Sequence, residues 1–159
     1  MHLQYRSIGL IRSPFKDIEG MPVQPAGAAG VAGRLEIDPE YAEGLKDVEG
    51  FSHLIVLYHF HMVREVQLTV TPFLDTRPRG VFATRAPKRP NPLGLSVVKL
   101  VRREGSVLFI QNVDVLDETP LLDVKPYVPA FDRVEQASSG WLEKAQEQAS
   151  DVKSDDRFR

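Results

Sequence analysis

The chain predicts a mainly β fold, a small single-sheet barrel of short strands with a few short helices. Two observations carry this. Segments rich in β-branched and aromatic residues recur about every 10 to 15 residues, bounded by Gly, Pro or charge, with no long helical pattern between them. No Gly-x-Gly-x-x-Gly follows a strand and no P-loop is present, which removes the usual doubly wound nucleotide-binding sheets. With 159 residues and no cysteine, the chain can bury about two-thirds of its unfolded surface in one core without disulfide staples. Cysteine usage fits a reducing compartment. No 18-residue apolar run and no basic-then-apolar N-terminus occur, so we expect a cytoplasmic protein that does not span a membrane.

In order along the chain, Leu3 to Arg12 alternates loosely and ends at Ser13-Pro14, a strand and a turn. Residues 20 to 33 are small and punctuated by Pro and Gly, hence a long surface loop. Gly33 to Ile37 is a short strand. Pro39 to Leu45 predicts about a turn and a half of helix, with Asp38 as N-cap and Pro39 at the first helical position. Phe51 to Val63 carries a β-branched and aromatic centre that predicts a buried strand. Val66 to Val70, Gly80 to Thr84, Leu95 to Val101 and Val107 to Val115 add further short β-rich segments. Trp141 to Ala149 reads as a helix, with Ser138 or Ser139 near its start, and 151 to 159 as a frayed polar tail. We divide the chain into a barrel domain, 1–136, and a C-terminal helix and tail, 137–159.

The chemistry concentrates between Gly80 and Ser96. Pro87, Pro90 and Pro92 fix their own φ and push Ala86, Arg89 and Asn91 towards extended geometry, leaving a stiffened basic loop. Arg85, Lys88, Arg89 and Asn91 would then be preorganised for phosphate, carboxylate or a nucleotide edge. Although the net charge is −2, residues 77 to 103 hold eight Lys or Arg and no acid. So concentrated a segment fits a local phosphate-bearing partner, RNA included, better than a long DNA duplex. A plain turn with solvated charges is the competing reading.

Three histidines, His53, His59 and His61, have ligand-like spacing, and His59 and His61 would share a strand face. They lack Cys or His-Glu-x-x-His partners, so no metal site is assigned. Asp114, Asp117, Glu118 and Asp123 form an acidic stretch that could move protons or recognise hydroxyls and amines. Alternatively, Asp117 to Pro120 is a type I turn and Asp123 and Lys125 merely share a strand face. No Gly-x-Ser-x-Gly or Cys-His pair points to a covalent nucleophile. What remains is group transfer in which the protein positions two substrates, or ligand binding alone.

The run Gly80-Val-Phe-Ala-Thr-Arg-Ala-Pro-Lys-Arg-Pro-Asn-Pro-Leu-Gly-Leu-Ser-Val-Val-Lys-Leu100 strongly resembles the TrmO (TsaA-like, YaeB) family. Ile8-Gly-Leu-Ile-Arg-Ser-Pro-Phe15, Glu49-Gly-Phe-Ser-His-Leu54 and Leu116-Asp-Glu-Thr-Pro-Leu-Leu-Asp-Val-Lys-Pro-Tyr127 match in order, so the resemblance covers about residues 4 to 130. It implies a non-Rossmann, homodimeric β-barrel methyltransferase that uses S-adenosyl-L-methionine to methylate N6 of threonylcarbamoyl-adenosine beside the anticodon in tRNA. By the same resemblance Gln24, Pro25, Ala26, His61, Met62, Arg85, Leu95, Leu116, Asp117, Glu118 and Thr119 would hold the cofactor. Anionic groups of the tRNA anticodon loop would meet Arg77, Arg79, Lys88, Arg89 and Asn91. Asp123 is the expected proton acceptor, with Lys125 and Tyr127 orienting substrate. Three departures stand out: Ala26 and Glu118 each replace a usual Gly, and Met62-Val63 replaces a frequent Glu-Asn pair. The alternatives are a non-catalytic S-adenosylmethionine-binding protein and a methyltransferase acting on another small acceptor.

Overall fold

In a computed structural model that describes residues 1–22, 25–143 and 145, the chain forms eight strands. They are β1 (Gly9–Arg12), β2 (Ala32–Ile37), β3 (His53–His59), β4 (Thr69–Val70), β5 (Arg79–Gly80), β6 (Leu93–Glu104), β7 (Val107–Gln111) and β8 (Thr119–Pro126). Six of them close an antiparallel barrel in the order β1-β2-β7-β6-β3-β8, with β8 returning to β1. β4 and β5 make a separate two-stranded ribbon within the connection from β3 to β6.

Strict alternation in β3 and β6 builds the interior. Leu54, Val56 and Tyr58 point inward from β3, and Gly94, Ser96, Val98 and Leu100 from β6, while the residues between them face out. Ile11, Leu35, Leu108, Ile110 and Leu121 complete the core from the other strands. Six strands leave only enough room for side chains to fill, so the barrel is a packed core and not a channel.

The ring of Tyr58, buried in the interior, needs a gap on the neighbouring strand. Tyr58 pairs across with Gly94, and a Cβ built on Gly94 would lie 2.1 Å from Tyr58 Cε2.

Antiparallel pairing throughout sends three connections out by the same end of the barrel: 13–31, 60–92 and 112–118. The middle connection folds on a small core of its own, Val70, Val81 and Ala86 with Phe73 against them. A short 3₁₀ turn, Pro25–Ala28, lies against β6 at this end. The opposite end carries 3₁₀ turns Pro39–Leu45 and Val48–Gly50 and the short helix α1 (Pro129–Asp132).

Several local expectations are corrected. Leu3 to Ile8 do not join the first strand, and only Thr69–Val70 of the 66–70 segment pairs. Gly80 to Thr84 is not a strand: after Arg79–Gly80 the chain turns as 3₁₀ through Val81–Ala83, stabilised by Thr84 Oγ1 donating to Val81 O. The strand over 107–115 stops at Gln111, where Asn112 adopts φ 69°. The 51–63 strand ends at His59, so His59 and His61 do not share a strand face. Pro39 occupies the first helical position, but Asp38 makes no side-chain cap. Of the helix expected over 141–149, only a 3₁₀ turn at Gly140–Leu142 falls in its described part; positions 144 and 146–149 lie outside the described residues.

Gly94→Ala is expected to destabilise the barrel by about 1–3 kcal/mol through overpacking against Tyr58, measured by urea denaturation. The penalty should shrink when Gly94→Ala is combined with Tyr58→Val.

Candidate functional site at the loop end of the barrel

The barrel gathers most of the singled-out residues at the end where the three connections emerge. His61 follows β3 and approaches Thr119 at the start of β8, Nδ1 to Oγ1 3.4 Å. Burial and the neighbouring His59 push the His61 imidazole below its ordinary value, against the opposing pull of Glu118, so it is neutral near pH 7 and can accept or donate a hydrogen bond. Met62 beside it is exposed.

The acidic turn is not type I, because Glu118 has φ 61°, whereas type I requires about −60° at that position. A left-handed residue is where glycine would be the easy choice, which accounts physically for Glu118 as a departure at this position. Arg12 anchors it, Nη1 donating to Glu118 Oε1 at 2.9 Å. Asp117 is fastened to the first connection: Ser13 N–H donates to its Oδ1 at 3.0 Å and Lys16 donates to its Oδ2. Burial alone would raise Asp117, but Lys16, the Ser13 N–H and Arg12 hold its carboxyl below the usual range. Leu116 is half-buried in the same connection. The turn holding Pro25 and Ala26 shares this end through Gly30 N–H donating to Asn112 Oδ1 at 2.8 Å. Gln24 lies outside the described residues.

A second cluster was not assembled by sequence reasoning. Ser96 Oγ donates to Asp114 Oδ1 at 2.7 Å and lies 3.0 Å from Tyr58 Oη, a phenol, hydroxyl and carboxylate in line from the core to the rim. Burial pushes the Asp114 carboxyl up to about 6, opposed by the Ser96 hydrogen bond and by Arg85. Burial, with Asp114 adding to it, also raises Tyr58, which stays a neutral phenol. The exposed Arg85 is close enough to influence both groups, yet makes no hydrogen bond or ion pair among the described residues. Ser96 in a run of inward-facing apolar positions was the signal in the sequence: a lone buried hydroxyl in a barrel wall needs partners.

The basic connection divides its cations. Lys88, one of the expected tRNA contacts, is only 4% exposed and spends its charge on Glu65, Nζ to Oε1 2.5 Å. Arg89 Nη1 donates to Val81 O, Thr84 O and Ala86 O at 3.1, 2.8 and 3.2 Å. That nitrogen pins the loop, and the guanidinium stands 5.9 Å from the exposed Phe82 ring. Arg79 pairs with Asp75 at 2.7 Å and lies 5.4 Å from the centre of the Trp141 ring. Arg77 and Asn91 are exposed, and their side chains have no partner among the described residues.

The expected catalytic trio is not brought to this end. Asp123 and Lys125 form a 2.7 Å ion pair on the outer wall, opposite Leu57 and Ile55. Tyr127 packs edge-on to His53, at the far end of β3 and about 20 Å from His59 at about 3.3 Å per residue. Leu95 also faces outward, paired with Leu57. Among the described residues no three His, Asp or Glu side chains converge as metal ligands, and no helix is long and apolar enough to cross a membrane.

With this geometry in place, comparison with known proteins is informative. The family model for the tRNA-methyltransferase O N-terminal domain matches residues 10–133. The sequence is 52% identical over 154 residues to a probable S-adenosyl-L-methionine-binding protein of Pyrococcus abyssi, covering 97% of this chain and 84% of that one. It is 36% identical over 152 residues to the tRNA (adenine(37)-N6)-methyltransferase of Escherichia coli, covering 89% of this chain and 65% of that protein. A crystal structure of TrmO from Pseudomonas aeruginosa superposes with a TM-score of 0.75 at 39% identity, over 89% of this chain and 63% of that one. The chain thus spans slightly under two-thirds of the length of these two bacterial proteins.

Asp114→Asn tests the electrostatics of the rim. The folded protein binds the Asp114 proton more tightly than the unfolded chain does, so the stability this group contributes is full below about pH 4 and lost as pH rises through about 6. The variant should match wild type near pH 4 and exceed it by about 2–3 kcal/mol at pH 8, read from denaturant melts at both pH values.

Proposed function

We propose, because the chain belongs to the tRNA-methyltransferase O N-terminal domain family, that it transfers a methyl group from S-adenosyl-L-methionine to N6 of threonylcarbamoyl-adenosine beside the anticodon of tRNA. The observation that carries this reading is the convergence on one barrel end of His61, Thr119, Arg85 and the Asp117–Glu118 turn, next to a basic connection with exposed Arg77. The relative from Escherichia coli, named for methylation of adenine N6 in tRNA, supports the choice of acceptor.

Bound S-adenosylmethionine supplies an electrophilic methyl group, and the residues at this end suit an amino-acid-bearing nucleoside. Arg85 offers a guanidinium with no partner among the described residues, His61 and Thr119 offer neutral hydrogen-bonding groups, and Met62 and Leu116 offer apolar surface. The protein's contribution is chiefly to hold the acceptor nitrogen in line and to exclude water. Arg77 meets the threonyl carboxylate or the anticodon-loop phosphates and Arg85 the cofactor, while Lys88 and Arg89 keep the connection in shape. Asp123 lies on the outer wall beside its Lys125 partner, so it serves as proton acceptor only for a substrate that reaches that face. The same wall exposes Leu93 and Leu95 beside half-buried Leu57 and Val97, an apolar stripe that supports homodimer formation. The archaeal relatives named for S-adenosylmethionine binding favour a second reading, cofactor binding without transfer.

The deciding measurement is methyl transfer from labelled S-adenosylmethionine to tRNA with and without threonylcarbamoyl-adenosine. Label confined to modified tRNA is expected. Cofactor binding with no transfer to either RNA would leave the binding protein, and transfer to a small acceptor alone would move the chemistry off RNA. In the same assay Arg77→Ala should weaken tRNA binding and reduce the slope of log K against log salt by about 1, with cofactor affinity intact. Arg89→Ala should impair both, because three carbonyls lose their donor.

A further inference from the structure

The basic connection holds two aromatic rings at its surface. In the 3₁₀ turn Val81–Ala83, Val81 points into the small core at 1% exposed and Phe82 points away from it at 75%. Hydrogen bonds fix the turn in that pose: Thr84 Oγ1 and Arg89 Nη1 both donate to Val81 O, and the same Arg89 nitrogen reaches Thr84 O. A lone exposed phenylalanine would mean little. Here a second ring meets the same turn. Trp141 arrives from a segment 58 residues further on and donates its indole N–H to Ala83 O at 2.8 Å. Each ring has an arginine near it, Arg89 at 5.9 Å from the centre of Phe82 and Arg79 at 5.4 Å from that of Trp141. Arg77 and Arg85, both exposed, belong to the same connection.

We propose that Phe82 and Trp141 form a stacking platform for unpaired bases of RNA. A partner suited to this surface must offer flat rings to the aromatic side chains and negative charge to the arginines, and an unpaired stretch of RNA offers both along one strand. In a duplex the base faces are stacked on one another, so a double helix could satisfy the arginines alone. Rings already fixed in place also lose little freedom on binding. The platform rests on the tRNA reading above and goes beyond it in two respects. It supplies contacts to base faces where the basic side chains supply contacts to phosphates, and it draws in Trp141, which lies beyond residues 10–133, the part of the chain that the family model matches.

Trp141 is the single tryptophan of the chain, so its fluorescence reports on one half of the platform directly. The probes are an unmodified RNA hairpin with an anticodon-type loop and a blunt RNA duplex with no unpaired base. The hairpin should quench Trp141 and the duplex should not. By anisotropy of the labelled hairpin, Phe82→Ala and Trp141→Ala should each weaken binding at least about fivefold. The slope of log K against log salt should stay as in wild type, because neither change removes a charge. Phe82→Tyr should bind as wild type does and Phe82→Leu should not, which separates stacking from apolar contact. Removing the exposed Phe82 ring uncovers no core, so these variants fold. Equal quenching by hairpin and duplex, or wild-type binding of the hairpin by both alanine variants, overturns the platform and leaves the tRNA reading intact. Quenching by S-adenosylmethionine alone, or by raising the protein concentration without RNA, overturns it as well and gives the rings to the cofactor or to a second copy of the chain. Quenching by the hairpin alone, in a protein that methylates no tRNA, sustains the platform and removes only the transfer. Failure to bind the hairpin overturns the platform whether or not tRNA is methylated, and if it is not, the tRNA reading falls too.

Discussion

Everything at the working end of this protein follows from how a six-stranded barrel fills its own interior. Leucine, isoleucine and valine pack most of it, but near the rim the wall is closed by Tyr58, whose ring fits only because Gly94 opposite has no side chain. A phenol brought that deep must be hydrogen-bonded, since burying a polar group without a partner is costly. Ser96 accepts that role, and its remaining hydrogen-bonding capacity passes to Asp114. A packing requirement thus ends in a fixed, partly desolvated carboxylate at the surface. The chain of consequence runs from steric fit to hydrogen bonding to acid strength.

From one end of the barrel to the other, the same economy governs the cations. A stretch with eight basic residues and no acid would repel itself if all of them faced water together. Instead Lys88 is neutralised by Glu65, Arg79 by Asp75, Arg102 by Glu104 and Arg103 by Glu49, every partner lying outside the basic stretch. Arg89 serves three backbone carbonyls of the proline-interrupted loop, Val81 O, which Thr84 also reaches, and Thr84 O and Ala86 O. Among the described residues few of these cations are left without a partner, Arg77 and Arg85 among them, and both are exposed.

The barrel was legible from sequence because short β-rich segments recur with no long helical pattern between them, and β3, His53-Leu-Ile-Val-Leu-Tyr-His59, carries the continuous apolar run of a buried strand. Strand ends were less legible. Leu3 to Ile8 alternates loosely, but nothing in the sequence announces that β2, the partner of β1 on one side, ends at Ile37 opposite Gly9. Val81 to Ala83 is β-rich yet turns, because Thr84 bonds back to Val81 and the ribbon has only two residues to pair. At the site, the motif positions around His61 and Thr119 do meet, whereas Asp123, Lys125 and Tyr127 do not join them. Their spacing along one strand was visible, but which face and which end of the barrel they occupy depends on register, and β8 shifts register against β3 between Leu57 and Tyr58. Asp114 was visible only as one member of an acidic stretch, because its contact with Ser96 spans eighteen residues and no local pattern encodes it.

Closure of the barrel joins Gly9 to Leu121, and this has a bearing on how the molecule is made. A ribosome adding about 5–20 residues per second exposes β1 long before β8 exists to receive it. Until then one outer edge of β1 has no strand to pair with, and the three connections that build the rim have no frame to hold them together. The working end therefore cannot mature piecemeal during synthesis. It comes into being in a single late event, when the last strand of the wall reaches the first, and a chain halted before that moment carries an open edge suited to pairing with strangers.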